Sequence, residues 1–122
     1  MMTFDDALDR LRSICLSLPE ATEGGGVGSP AFKVREKIFA MQHGMAGRPS
    51  VWFKAPRGLQ AAMVGDDPAV FFVPPYVGVH GWIGAYLDVE LDWDEVGDLV
   101  RDSYRMTAPK RLLRLVDANA SA

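Results

Sequence analysis

Amphipathic helices at both chain ends, short strand-like runs between them, and short connections between successive strands predict an α+β domain. The expected form is a two-layer sandwich, an antiparallel sheet of four to five strands backed by N- and C-terminal helices. The chain has 122 residues, enough for one domain with one core. The expected domain spans residues 1–117, with 118–122 as a frayed tail.

The first helix begins at Thr3, an N-cap with Asp6 in a capping-box position. Phe4, Ala7, Leu8, Leu11, Ile14, Cys15 and Leu18 follow at helical spacing and form one apolar stripe. Pro19 ends it. Residues 19–29 read as a loop. Their cluster Gly24-Gly25-Gly26-Val27-Gly28 is followed by neither Gly-Lys-Ser/Thr nor a helix, so it is no phosphate loop.

Three strands are expected next, Ala31–Val34, Lys37–Met41 and Ser50–Lys54. Arg35-Glu36 joins the first two. A two-residue primed turn wants φ > 0, which neither residue gives cheaply, so a longer tip is expected and the register stays open. Gln42–Pro49 reads as a loop, with Gly44, Gly47 and Pro49 as breakers. A short helix over Arg57–Val64 is expected to turn Leu59, Ala62 and Met63 inward. Val70–Val73 and Trp82–Leu87 read as strands, the latter with Ile83, Ala85 and Leu87 opposite Trp82, Gly84 and Tyr86. Asp92 with Glu95 starts a helix that buries Trp93, Val96, Leu99, Val100 and Tyr104. After Pro109 a basic helix carries Leu112, Leu113, Leu115 and Val116.

Charge is segregated. The chain is −3 overall. Within it, residues 31–60 set Lys33, Arg35, Lys37, Arg48, Lys54 and Arg57 against Glu36 alone, a +5 block. Residues 61–104 set Arg101 against nine carboxylates, a −8 block. An acidic protein with one basic face is one outcome, and mutual neutralisation of neighbouring elements is the other. No run of 18 apolar residues is present to span a membrane, and the acidic start lacks a signal peptide's pattern. Cys15 is the single cysteine, so no internal disulfide forms and a cytoplasmic setting is expected.

The runs Leu18-Pro19-Glu20-Ala21-Thr22-Glu23, Pro30-Ala31-Phe32-Lys33-Val34, Lys37-Ile38-Phe39-Ala40, Pro74-Pro75-Tyr76, Gly81-Trp82-Ile83 and Ala108-Pro109-Lys110-Arg111-Leu112 resemble the MmcQ/YjbR family in order and spacing. The resemblance implies a frataxin-like (CyaY-like) fold. It also implies a DNA-binding role through a double-wing arrangement of β elements, without established catalytic residues. The chain departs from the family pattern at Glu36, where a Gly commonly precedes the Lys.

The expected function is therefore a non-enzymatic binding protein, with DNA as the leading partner and little sequence preference. The candidate phosphate contacts are Lys33, Arg35, Lys37, Arg48, Lys54 and Arg57, extended by Lys110 and Arg111. Phe32, Phe39, Trp52 and Phe53 interleave with them. They read as stacking platforms or, by alternation, as core. Tyr76, His80 and Trp82 are candidates for a small-ligand cleft, and a protein or small-ligand module is the alternative function. A weaker alternative is divalent-cation binding on the stripe Asp94, Asp98 and Asp102, against a solvated face in which Asp98–Arg101 and Asp102–Arg105 pair. No catalytic set, cofactor or metal-ligand spacing is evident.

Overall fold

The structure, a computed structural model, describes residues 3–26 and 29–121. Val27 and Gly28 of the expected glycine-rich loop lie outside the described residues, as do the two N-terminal methionines and Ala122 of the expected tail.

Helix α1 spans Phe4–Leu16 and opens on a capping box. The Asp6 N–H donates to Thr3 Oγ1 at 3.1 Å, and the Thr3 N–H donates to Asp6 Oδ2 at 3.3 Å. Ala7, Leu11 and Cys15 face the core, while Phe4, at the end of the stripe, is 40% exposed.

Six strands form one antiparallel sheet: β1 (Thr22–Gly26), β2 (Ser29–Val34), β3 (Lys37–Met45), β4 (Arg48–Phe53), β5 (Phe71–Phe72) and β6 (Ile83–Tyr86). Their order is β1-β2-β3-β4-β6-β5. The expectation of four to five strands is corrected at β1. Glycine is a poor strand former, but this edge strand pairs through its backbone, and the end of the Lys33 side chain lies beside Gly24.

The expected loop Gln42–Pro49 is also corrected. Gln42 to Met45 extend β3 and pair with Arg48 to Val51. The turn between them is Ala46-Gly47, both at positive φ, as a primed hairpin requires. Pro49 offers no N–H, but its carbonyl accepts from Leu87 at 2.9 Å. Likewise the β2–β3 tip is tight: Arg35 and Glu36 adopt φ of 51° and 69°. Two non-glycine residues hold that strained geometry because Arg35 is anchored from outside the hairpin.

Helix α2 spans Leu59–Asp66, later than expected, behind Gly58 in a left-handed conformation. Leu59 and Met63 pack on the core, but Ala62 is exposed. A 3-10 turn covers Val77–His80. Helix α3 spans Trp93–Thr107, with Asp92 Oδ1 accepting from the Asp94 and Glu95 N–H groups at 3.1 and 3.2 Å. Helix α4 spans Lys110–Ser121 and buries Leu112 and Val116, while Leu115 points outward.

The helices gather on one side of the sheet, with α3 against β3 and β4 and α1 against α3. There Phe32, Val34, Phe39, Val51, Phe53, Ile83 and Ala85 meet Leu11, Cys15, Val100 and Tyr104, all fully buried. A bulge makes Phe39 an extra residue between the pairs Phe32↔Ala40 and Lys33↔Ile38. Its ring meets Tyr104 edge-on, centroids 5.3 Å apart. This burial holds the two layers together, at roughly 1.5–3 kcal/mol per large apolar side chain.

Candidate nucleic-acid interface

The sheet's second face follows from alternation. Arg48, Ser50 and Trp52 point away from the helices on β4, because Val51 and Phe53 point toward them. Cross-strand partners share a face, so His43, Met41 and Ile38 on β3, Lys33 on β2 and Gly84 and Tyr86 on β6 join that side. Phe72 on β5 lies directly over Gly84, where a Cβ would sit 2.2 Å from the ring. Glycine at 84 is therefore a requirement of ring packing.

This face is a mat of rings. His43 stacks on Trp52 with centroids 4.3 Å apart, and Phe72 leans on Tyr86 at 4.6 Å. The Trp52 N–H donates to Ser50 Oγ at 2.9 Å, and that hydroxyl donates to the His43 carbonyl. Trp52 is 4% exposed, sealed beneath its neighbours, while His43, Tyr86 and Phe72 remain open or half-open. Of the four aromatics singled out in the sequence, Phe32, Phe39 and Phe53 are core and Trp52 belongs to the second face.

The eight candidate basic residues divide. Arg35, at the hairpin tip, makes a two-pronged bond to Glu20, at 2.8 and 3.2 Å. Arg111 approaches the same carboxylate at 3.6 Å. The Arg35 hydrogen bond, chiefly, holds the Glu20 carboxyl below its usual range. Arg48, at the opposite end of the sheet, grips Asp88 at 2.8 and 2.9 Å and lies 3.6 Å over the Tyr86 ring. That bond depresses the Asp88 carboxyl. Arg48 is thus matched one to one, while Arg35 and Arg111 share the single carboxylate of Glu20.

Lys33, Lys37 and Lys54 differ. Lys33 stands on the open face beside Gly24. Lys54, one residue past β4, continues the row of Trp52, with Nζ 6.0 Å over the Trp82 ring. Lys37 pairs with core-facing Val34, so Lys33, Arg35 and Lys37 share one end of the sheet but not one face. Among the described residues no carboxylate pairs with any of the three lysines. Burial, and next the positive charge of Lys37, push the Lys54 ammonium below its ordinary pKa. Arg57 and Lys110 are exposed.

The remaining candidates disperse. Tyr76, just before the 3-10 turn, and His80, its last residue, are exposed, and Trp82 is largely buried. They line neither of two cavities. One, of about 740 Å³, lies between the end of α1 and α3–α4 and includes Pro19, Arg101 and Arg105. The other, of about 460 Å³, lies between Ala7 and the Leu87–Leu91 segment. Asp98 bonds Arg101 at 3.1 Å and Asp102 approaches Arg105 at 3.8 Å. Among the described residues no group of three His, Cys, Asp or Glu is placed to hold a metal. Cys15 is sealed in the core, and burial raises its thiol pKa. Neither histidine bonds a side-chain acid or nucleophile among the described residues. No helix among the described residues is long and apolar enough to cross a membrane.

The Glu20 anchor and the ring mat escaped the sequence reading. Glu20 meets Arg35 across 15 residues, and no local pattern encodes such a pair. The ring mat is readable only once strand register is known.

Comparison with known proteins places the fold. The crystal structure of Deinococcus radiodurans protein DR2400, with a DUF419 domain, superposes with a TM-score of 0.71 over 87% of this chain and 81% of that one, at 20% identity. No curated protein matches. The YjbR family model matches residues 16–106, a stretch that runs from the end of α1 almost to the end of α3, and the chain is thus a member of the YjbR family.

Proposed function

We propose that this YjbR-family protein is a non-enzymatic module that binds nucleic acid, DNA first, with little sequence preference. One observation carries the reading. Lys33, Lys37 and Lys54 crowd one end of the sheet with no carboxylate partner among the described residues, and Lys37 and Lys54 repel each other. Such a cluster gains most from a partner bearing repeated anions. The half-open rings of the adjacent face offer surfaces on which bases stack. The net charge of −3 then confines attraction to this one region. A cytoplasmic setting suits both nucleic acid and a reduced, buried Cys15.

Binding of single-stranded and duplex DNA of mixed sequence is to be measured at about 50 and 200 mM salt. Three phosphate contacts predict a loss of affinity of roughly 20- to 40-fold across that range, from slopes of about 0.7 and 0.9 per phosphate. No binding to either form at the lower salt would refute the proposal.

A second prediction concerns Glu20. Its carboxyl is held below the usual range by Arg35 first, so the pair persists at neutral pH and is lost as pH falls through that lowered value. Glu20→Gln breaks it at pH 7. The variant is expected to bind duplex several-fold more tightly, with a salt slope steeper by up to about 1.8 as Arg35 and Arg111 become available. Wild-type affinity should rise toward that of the variant only in acid. An unchanged slope in the variant would place the bound strand away from the hairpin tip.

A further inference from the structure

Tyr76 is 90% exposed, and Val79, three residues on, is 84% exposed. An aromatic ring so fully in water is ordinarily found on a mobile loop, yet this one is held stiffly. Tyr76 has φ 65° and ψ −64°, and the Val77 N–H donates to the Pro75 carbonyl at 2.7 Å. Together these make the positive-φ γ-turn, a rare and strained conformation for a residue with a side chain. The turn is fixed from both sides. Pro74 and Pro75 restrict the chain before it, and Pro74 is fully buried. Gly78 is buried so tightly that a Cβ there would meet Val73 Cγ1 at 2.6 Å. Gln60 Nε2 donates to the carbonyls of Gly78 and Trp82, at 2.8 and 2.7 Å, tying the turn to the sheet.

Strain in a well-held loop at the surface points to a use for the side chain it presents. Its surroundings indicate which use. Trp82, the second anchor of Gln60, lies beneath Lys54, and Gly81 abuts the Ala55 carbonyl, two residues before the exposed Arg57. Tyr76 thus follows β5 at the end of the sheet where β4 ends and β6 begins, the end that carries Lys54. A ring beside unmatched cations is complementary to a nucleobase beside its phosphates. Because the backbone is already ordered, stacking costs little further entropy.

Resting on the nucleic-acid reading above, we infer that Tyr76 is a rigid stacking post for an unpaired base, and that it makes the protein prefer single-stranded or locally opened nucleic acid to intact duplex. The ring gains a base only where that base is free of its own stack, while the lysines bind phosphates of either form. The two contributions separate by experiment, since stacking involves no counterion release and phosphate contact does.

The test uses the full chain with a short single strand of mixed sequence carrying one 2-aminopurine, and the duplex of the same sequence. Tyr76→Ala is expected to weaken single-strand binding by about 5- to 100-fold and to abolish quenching of 2-aminopurine, with the salt slope unchanged. Duplex affinity should change less than about 2-fold. Tyr76→Trp should restore both single-strand signals. Since the ring is exposed, thermal unfolding of either variant should match or exceed wild type, which separates stacking from misfolding. Wild-type binding that Tyr76→Ala leaves intact, or a loss that Tyr76→Trp does not repair, would overturn the stacking role while leaving the basic interface standing. A Tyr76→Ala variant that keeps its affinity for DNA but loses self-association would assign the ring to a protein contact instead. Absence of any wild-type binding at about 50 mM salt would overturn both readings.

Discussion

Replacing Lys33, Lys37 and Lys54 together with Ala is expected to weaken DNA binding by at least about tenfold at 50 mM salt and to flatten the duplex salt slope by about 2.7, the release of three phosphate contacts. The loss should be uniform across sequences, because phosphate contacts position a strand without reading it. Fold stability should hold. All three side chains are exposed or half-exposed, and removing the Lys54 ammonium relieves a charge disfavoured by burial and by Lys37. Arg48→Ala is the matched control. It also removes one positive charge, but that charge is already gripped by Asp88 at the far end of the sheet. Its slope should stay near wild type. A triple variant with the wild-type slope would show that the cluster is not the contact surface.

The second large effect is on stability. Ser103 is fully buried on α3. Its hydroxyl accepts from the Lys54 N–H at 2.8 Å and donates to the Phe39 carbonyl at 2.5 Å. It thereby satisfies two backbone groups where β3 bulges and β4 ends, and it fixes α3 against both strands. Ser103→Ala leaves a donor and an acceptor without partners in the interior, at about 1–3 kcal/mol each. The expected loss is about 2–4 kcal/mol, which lowers the midpoint of thermal unfolding by roughly 10 °C or more in a domain of this size. Thr107→Ala removes a half-buried hydroxyl bonded within α3 and should cost about 1 kcal/mol or less. Equal midpoints for Ser103→Ala and wild type would mean that water replaces the hydroxyl and that the clamp is not needed.

The two clamps of this fold differ in how readily they are read. The capping box at Thr3 and the N-cap at Asp92 join residues two or three apart, and a short pattern of residue types announces them. The Ser103 clamp joins residues 49 and 64 positions apart, and a serine in a helix carries no mark of it. The same holds for the basic residues. The +5 segment is visible as composition, yet composition does not distinguish Arg35, paired with Glu20, from Lys54, which lies over Trp82 with no carboxylate partner among the described residues. Register made that distinction.

Two misreadings of the sheet have one origin. Thr22–Gly26 and Gln42–Met45 lack the apolar alternation of a strand, and by sequence both read as loops. Each is a strand because a neighbouring strand offers its backbone groups, whose pairing does not depend on side chains. Tight turns at Arg35-Glu36 and Ala46-Gly47 then follow from the pairing on either side.

The amino-acid sequence by itself determined that four helices form, where α1 and α3 are capped and how β6 divides into two faces, since these rest on local spacing and local hydrogen bonds. The tertiary structure alone decided the sixth strand, the face on which each lysine stands, which arginines are neutralised and how stiffly Tyr76 is held. Those properties depend on pairs far apart in the chain, and such pairs exist only when folding has brought them together.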